Sequence, residues 1–229
     1  MKYCLFFGIV SLFQCSLLFA QGKSIRVKAG EDLAQAYSPH GFYRFPQFNK
    51  AVLYFNGGGK NAGPVFNYNV LSGNMQFINP AGDTLDMSNN VAVDSIVFGQ
   101  TVFVYKEGFL EIVAGDDSVK LLKKVLLKTQ VENVGAYGLS NNTASITSMK
   151  SFFTGSSVYN LVVNQDVVLE ETASWFFSRG NNIVKASKSN LLKLLPADKA
   201  AKAESYLKQN KTGFDKENDL KKLMTAIAG

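Results

Sequence analysis

Cysteine is nearly absent from this chain. Cys4 and Cys15 are the only two, and both fall within the first fifteen residues. Once that leading segment is removed, a disulfide framework, a thiolate metal site and a cysteine nucleophile are all excluded. Histidine is scarcer still. His40 is the single example, so zinc sites built on several histidines are excluded, as are triads needing a second one. His40 sits in the turn-like run Ser38-Pro39-His40-Gly41, and no serine lies in a nucleophile-elbow motif. With five prolines, 18% charged residues and 46% hydrophobic residues, the chain is neither a disordered polymer, a collagen repeat nor a coiled coil. Gly57-Gly58-Gly59-Lys60 lacks the Gly-Lys-Ser/Thr ending of a phosphate loop, and Gly115-Asp116-Asp117-Ser118 lacks the later ligands of a calcium loop. The sequence therefore points to no cofactor and no metal.

The leading segment has the order of an export signal. Met1-Lys2 gives a positive start, Tyr3–Phe19 is almost wholly apolar, and Ala20 or Gly22 offers a small residue for cleavage. Residues 1–20 are read as a signal peptide. Gln14 before Cys15 does not suit a lipoprotein cleavage site, and no later apolar run is long enough to span a bilayer.

Charge is segregated. Residues 21–184 carry 13 basic and 13 acidic side chains, whereas residues 185–229 carry 10 lysines against 5 acids. The ordinary meaning is a solvated helical surface with Lys and Glu interspersed; the functional one is attraction to an anionic lipid, polysaccharide or acidic partner. Nucleic acid is not expected as a partner, because arginines do not cluster.

From Ala51 to Thr129, short β-type runs alternate with turn signals. The runs are Ala51–Phe55, Val65–Val70, Met75–Ile78, Thr84–Met87, Val93–Phe98, Thr101–Tyr105, Phe109–Val113 and Val119–Thr129. Tight glycine-containing connections favour sequential antiparallel hairpins and leave no room for crossover helices. In Phe66-Asn67-Tyr68-Asn69-Val70, the large residues share one face and the asparagines the other. Residues 135–157 are rich in Gly, Ser, Thr and Asn and read as a long surface loop. Tyr159–Leu169, Ser174–Ser178 and Ile183–Ala186 resume the strand pattern. The end is helical. Leu191–Leu195 forms one apolar turn, Pro196 opens an Ala-rich helix over 197–209, and Asp215 is placed to cap another. Leu220, Leu223, Met224 and Ile227 then form one apolar stripe. The expected fold is mainly β: an antiparallel meander, as a sandwich or an open barrel-like sheet, with a C-terminal helical pair. A β-rich domain spans 21–188, and a helical tail over 189–229 packs on or beside the sheet. The strands are too short for a transmembrane barrel.

Two aromatic clusters stand out as candidate binding groups, Phe42, Tyr43 and Phe45 near the start and Trp175 with Phe176 later. Exposed aromatics give large contact area at low entropic cost, and the competing explanation is core packing. The acid pairs Asp116-Asp117, Glu170-Glu171 and Asp83 with Asp86 keep carboxylate chemistry open, although none is distinguished as a catalytic residue.

Several stretches resemble a family of uncharacterised exported proteins from Bacteroidota. They are Phe66-Asn67-Tyr68-Asn69, Gly73-Asn74-Met75-Gln76-Phe77-Ile78, Gly82-Asp83-Thr84-Leu85, Leu191-Leu192-Lys193-Leu194-Leu195-Pro196 and Asp219-Leu220-Lys221-Lys222-Leu223. The resemblance implies a Gram-negative envelope, so periplasm or cell surface, and carries no known activity. It also implies O-glycosylation at Asp-Ser/Thr-aliphatic, which nominates Thr84, Ser95 and Ser118. The leading expectation is a non-enzymatic exported module that binds a protein or glycan through its sheet face or the 135–157 loop. A carrier of an apolar ligand within a curved sheet and a carboxylate-dependent hydrolase are the other readings.

Overall fold

The computed structural model describes residues 24–87, 93–131, 133–134, 140–141 and 162–228. The signal segment and nearly all of the 135–157 loop lie outside them. In chain order the strands and helices are β1 (Ser24–Val27), α1 (Leu33–Tyr37), β2 (Asn49–Lys50), β3 (Val52–Phe55), β4 (Lys60–Asn61), β5 (Val65–Asn69), β6 (Asn74–Ile78) and β7 (Thr84–Asp86). Next come β8 (Val93–Phe98), β9 (Thr101–Tyr105), β10 (Phe109–Gly115), β11 (Lys120–Val131), β12 (Asn133–Val134) and β13 (Ser140–Asn141). The chain closes with β14 (Val167–Arg179), β15 (Asn182–Lys185), α2 (Lys188–Leu194), α3 (Ala197–Gln209) and α4 (Glu217–Ala228).

The fold is mainly β and every strand pairing is antiparallel. A nine-stranded sheet runs β1-β14-β11-β10-β9-β8-β3-β4, with β15 beside β14; it stays open. A second sheet runs β2-β5-β6-β7. The short hairpins explain the meander. At the β10–β11 turn, Gly115 has φ +107°, and a Cβ there would lie 2.2 Å from the Val119 carbonyl oxygen, so only glycine fits.

One face of the large sheet carries both hydrophobic cores. The first core joins Leu53, Ile96, Phe103, Val125 and Leu127 to Phe66, Tyr68, Val70 and Met75 of the second sheet region. The second core joins Val119, Leu121, Trp175 and Phe177 to Leu191, Leu194, Ala203, Leu220, Leu223, Met224 and Ile227 of the helices. The apolar stripe of α4 thus finds its partner on the sheet. Between the cores lies a charged seam. Arg44 forks onto Glu111 through Nε and Nη2 at 3.1 and 3.2 Å. Lys123 donates to Glu217 at 2.9 Å and lies 5.4 Å from the centroid of the Trp175 ring.

The face of β5 that carries the asparagines is covered as well. Phe66, Tyr68 and Val70 face the core as predicted, but Asn67 and Asn69 are buried too, at 0% and 1% exposure. The reason lies in the chain before β2. It runs along β5, with the Arg44 amide donating to the Tyr68 carbonyl, and it bows outward before pairing resumes at Asn49 opposite Phe66. The Asn67 carboxamide fills that bow. It accepts from the Phe45 amide at 3.1 Å and donates to the Phe45 and Gln47 carbonyls at 2.9 and 3.1 Å. Beyond it, Asn69 donates to Gln76, and Gln76 donates to Asp86.

Four local expectations are refined or corrected. Of the two strands expected at Tyr159–Leu169 and Ser174–Ser178, residues 159–161 lie outside the described residues, and a single strand begins at Val167 and runs unbroken to Arg179, because β11 supplies a partner along its length. The C-terminal helical pair is present as α3 and α4, and the apolar turn before it is itself a short helix. Ser187 caps the Leu191 turn by accepting from the Asn190 amide, which extends it into α2. Asp215 does not cap α4; Asp219 in its first turn accepts from the Gly213 amide instead. The stretch before Ala51 also holds β1, α1 and β2, with Asp32 capping α1 through the Gln35 amide.

Candidate functional site

The register defines what the other face of the large sheet offers. Val52 lies opposite Val97, Val97 opposite Val102, Val102 opposite Ile112, Ile112 opposite Leu122, and Leu122 opposite Phe176. Directly paired residues project to the same side, so this is one apolar row across six strands, about 24 Å long at the usual interstrand spacing. Val104 and its partner Leu110 widen it. No member of the row belongs to either core. Leu122 is nevertheless 0% exposed and Leu110 3%, while Val52, Val97, Val102, Val104, Ile112 and Phe176 are half-buried.

The sheet curls toward this row. Strands β9 and β14 are separated by β10 and β11, so in a flat sheet they would stand about 14 Å apart. Lys106, at the end of β9, instead donates to the carbonyl of Asn181 in the β14–β15 turn at 3.3 Å. Asn56, just after β3, lines the same cavity as Asn181 although five interstrand steps separate their strands. The row is therefore the inner surface of a trough.

Two cavities open on it. One, about 360 Å³, has Val104, Tyr105, Ser178 and Ile183 in its walls, with Asn56, Asp94, Lys106, Asp117, Lys120, Gly180 and Asn181 completing them. The other, about 470 Å³, is lined by Val52 and Val97 with Lys50, Ala51, Ala62, Gly63 and Gly99. Both volumes fall in the range that holds small organic ligands. Their walls contain no histidine or cysteine. Among the described residues, no cluster of metal-ligating side chains occurs, and no helix is long and apolar enough to cross a membrane.

The sequence candidates do not converge. Phe42 is 2% exposed and stacks on Tyr37 in the first core; its burial removes it as a surface group. Tyr43 packs edge-on against Phe48, and Phe45 against Phe98. Trp175 is 4% exposed beneath the helices, and strand alternation turns Phe176 to the opposite side, into the trough. Of the five aromatics, Phe176 alone belongs to the inner row. Thr84 follows the Asn79–Asp83 turn at the start of β7. Ser95 lies within β8 opposite Tyr54 and Val104. Ser118 is already engaged, donating to Asp116 and accepting from Lys199 at 2.6 Å. Lys199 and then Ser118 hold the Asp116 carboxyl well below the usual carboxylate range.

No family model matches this chain, nor does any curated protein or solved structure. Its functional reading rests on the trough. The sequence signal that could have located it is the doubling of hydrophobic residues: Phe109-Leu110, Leu121-Leu122 and Trp175-Phe176-Phe177 each load both faces of a strand.

Proposed function

We propose that this is an exported envelope protein without catalytic activity that binds an apolar ligand along the inner face of its curled sheet. The observation that carries the reading is the row Val52, Val97, Val102, Ile112, Leu122 and Phe176, which is apolar over six strands and is used by neither core. Leu122 is already buried, and covering the half-buried members Val52, Val97, Val102, Ile112 and Phe176 with a ligand gains about 25 cal/mol per Å² of apolar area removed from water. This takes up the reading of a carrier of an apolar ligand within a curved sheet, in place of a protein or glycan partner. Export is supported by the signal-like first twenty residues.

The test is titration of the exported protein with the fluorescent apolar probe N-phenyl-1-naphthylamine. Val102→Glu puts a charge into the half-buried middle of the row and should weaken binding at least tenfold. Lys202→Glu, on the exposed side of α3, should leave binding unchanged. Equal binding by Val102→Glu, with an unchanged circular dichroism spectrum, refutes the site.

A further inference from the structure

The trough has a polar end whose charges are balanced, and this bears on what its ligand carries besides an apolar part. The 360 Å³ cavity is lined by two cations, Lys106 and Lys120, and two anions, Asp94 and Asp117, together with Asn56 and Asn181. Three of the four, Asp94, Asp117 and Lys120, have no hydrogen-bond or ion-pair partner among the described residues. The fourth, Lys106, makes one long contact with the Asn181 carbonyl. The four charged side chains between the cores behave differently. Arg44, Glu111, Lys123 and Glu217 neutralise one another in the seam between the cores.

The four charges come from two separate places in the fold. Asp94 and Lys106 belong to the β8–β9 side of the curl, and Asp117 and Lys120 to the β10–β11 turn. Each side thus offers one charge of each sign. A head group with a single net charge gains from two of these groups and is repelled by the other two. A head group with both an anionic and a cationic centre can satisfy all four. Behind the head, Val104 leads directly to Leu110, and one register step along the strands lies the apolar row.

Building on the ligand-binding reading above, we infer that the occupant is an acyl-chain amphiphile with a zwitterionic head group, its chain along the row and its head in the Lys106–Lys120–Asp94–Asp117 cavity. The experiment is displacement of N-phenyl-1-naphthylamine from the exported protein by three dodecyl amphiphiles below their micelle concentrations. They are dodecylphosphocholine, dodecyl sulfate and dodecyltrimethylammonium, which share one tail and differ in head charge. Dodecylphosphocholine should displace the probe at a concentration at least tenfold below either ion. Lys106→Gln with Lys120→Gln should move the preference toward the cation, and Asp94→Asn with Asp117→Asn toward the anion. All four residues involved in these exchanges are charged wall groups outside both cores, so the variants can be checked for native dichroism before titration. A zwitterion no better than either ion, or a preference that neither pair of substitutions moves, overturns the head-group assignment while leaving the apolar site standing. Failure of the probe itself to bind overturns the site and the assignment with it.

Discussion

Asn67 gives the sharpest test of how the second sheet is held. Replacing it with alanine removes an acceptor from the Phe45 amide and two donors from the Phe45 and Gln47 carbonyls. The side chain is fully buried, so water does not replace it without a structural change. At about 1 kcal/mol net per hydrogen bond, with an added cost for backbone groups left unsatisfied, Asn67→Ala should lower stability by about 2–4 kcal/mol. Asn67→Asp separates the donor and acceptor roles. Aspartate still accepts from Phe45, but its ionised form faces two carbonyl oxygens and donates to neither. Its folded pKa should therefore be raised above the ordinary aspartate value of about 4. The neutral form is the native-like one, so the variant should be most stable below that value and lose stability as pH rises through the folded pKa. Urea unfolding can be followed by circular dichroism and by the fluorescence of Trp175, the single tryptophan, which reports from the other core. A cost below about 1 kcal/mol for Asn67→Ala refutes the reasoning, because it would mean that the bow over residues 45–47 needs no internal partner. So would an Asn67→Asp variant whose stability does not fall between acid and neutral pH.

Three further outcomes are expected. Gly115→Ala should cost roughly 2–4 kcal/mol in urea unfolding, since alanine would bring both an unfavourable positive φ and a collision with the Val119 carbonyl. Burial pushes the Glu217 carboxyl up, but hydrogen bonds from Lys123 and Lys221 outweigh it and the net shift is downward. Glu217→Gln should then lower thermal stability at neutral pH by only about 0.5–1 kcal/mol, because the pair is partly solvated; a shift of several kcal/mol would contradict this. Asp116 is also depressed, by Lys199 first and Ser118 second. Its contribution exists above the ordinary aspartate pKa, about 4, and vanishes as pH falls through its lower folded value. Asp116→Asn should therefore be less stable than the native protein at neutral pH and converge with it in strong acid, as measured by parallel urea titrations.

Much of the meander was legible because hairpin turns announce themselves locally. Val93–Phe98, Thr101–Tyr105 and the tight Gly99-Gln100 connection are read directly from residue type and spacing. The α4 stripe was legible for the same reason, its period being an intrinsic property of the helix. What escaped depends on distant partners. Strand β14 looked interrupted at Glu170-Glu171-Thr172, yet Leu126 and Leu127 lie opposite Thr172 and Glu171 and keep it extended. The covering of Asn67 was not legible because the segment that provides it lies twenty residues away along the chain. The trough was hidden by strand alternation. Leu121 and Leu122 belong to opposite faces, as do Trp175 and Phe176, so each hydrophobic run mixes core and candidate site in one string.

The placement of β1 has a kinetic corollary. Ser24–Val27 pairs with no strand that follows it closely; its partner is Val167–Glu170, on the far side of almost every other strand. A ribosome or translocation pore delivers the N-terminal end first, so this segment emerges long before the surface it docks on exists. The hairpins from β8 to β11 close short loops and can form early, whereas joining β1 to β14 must enclose most of the polypeptide. That last pairing sets a late step in maturation. Until it occurs, one border of β14 stays open to other extended chains, which makes the nascent protein a natural client for holding chaperones.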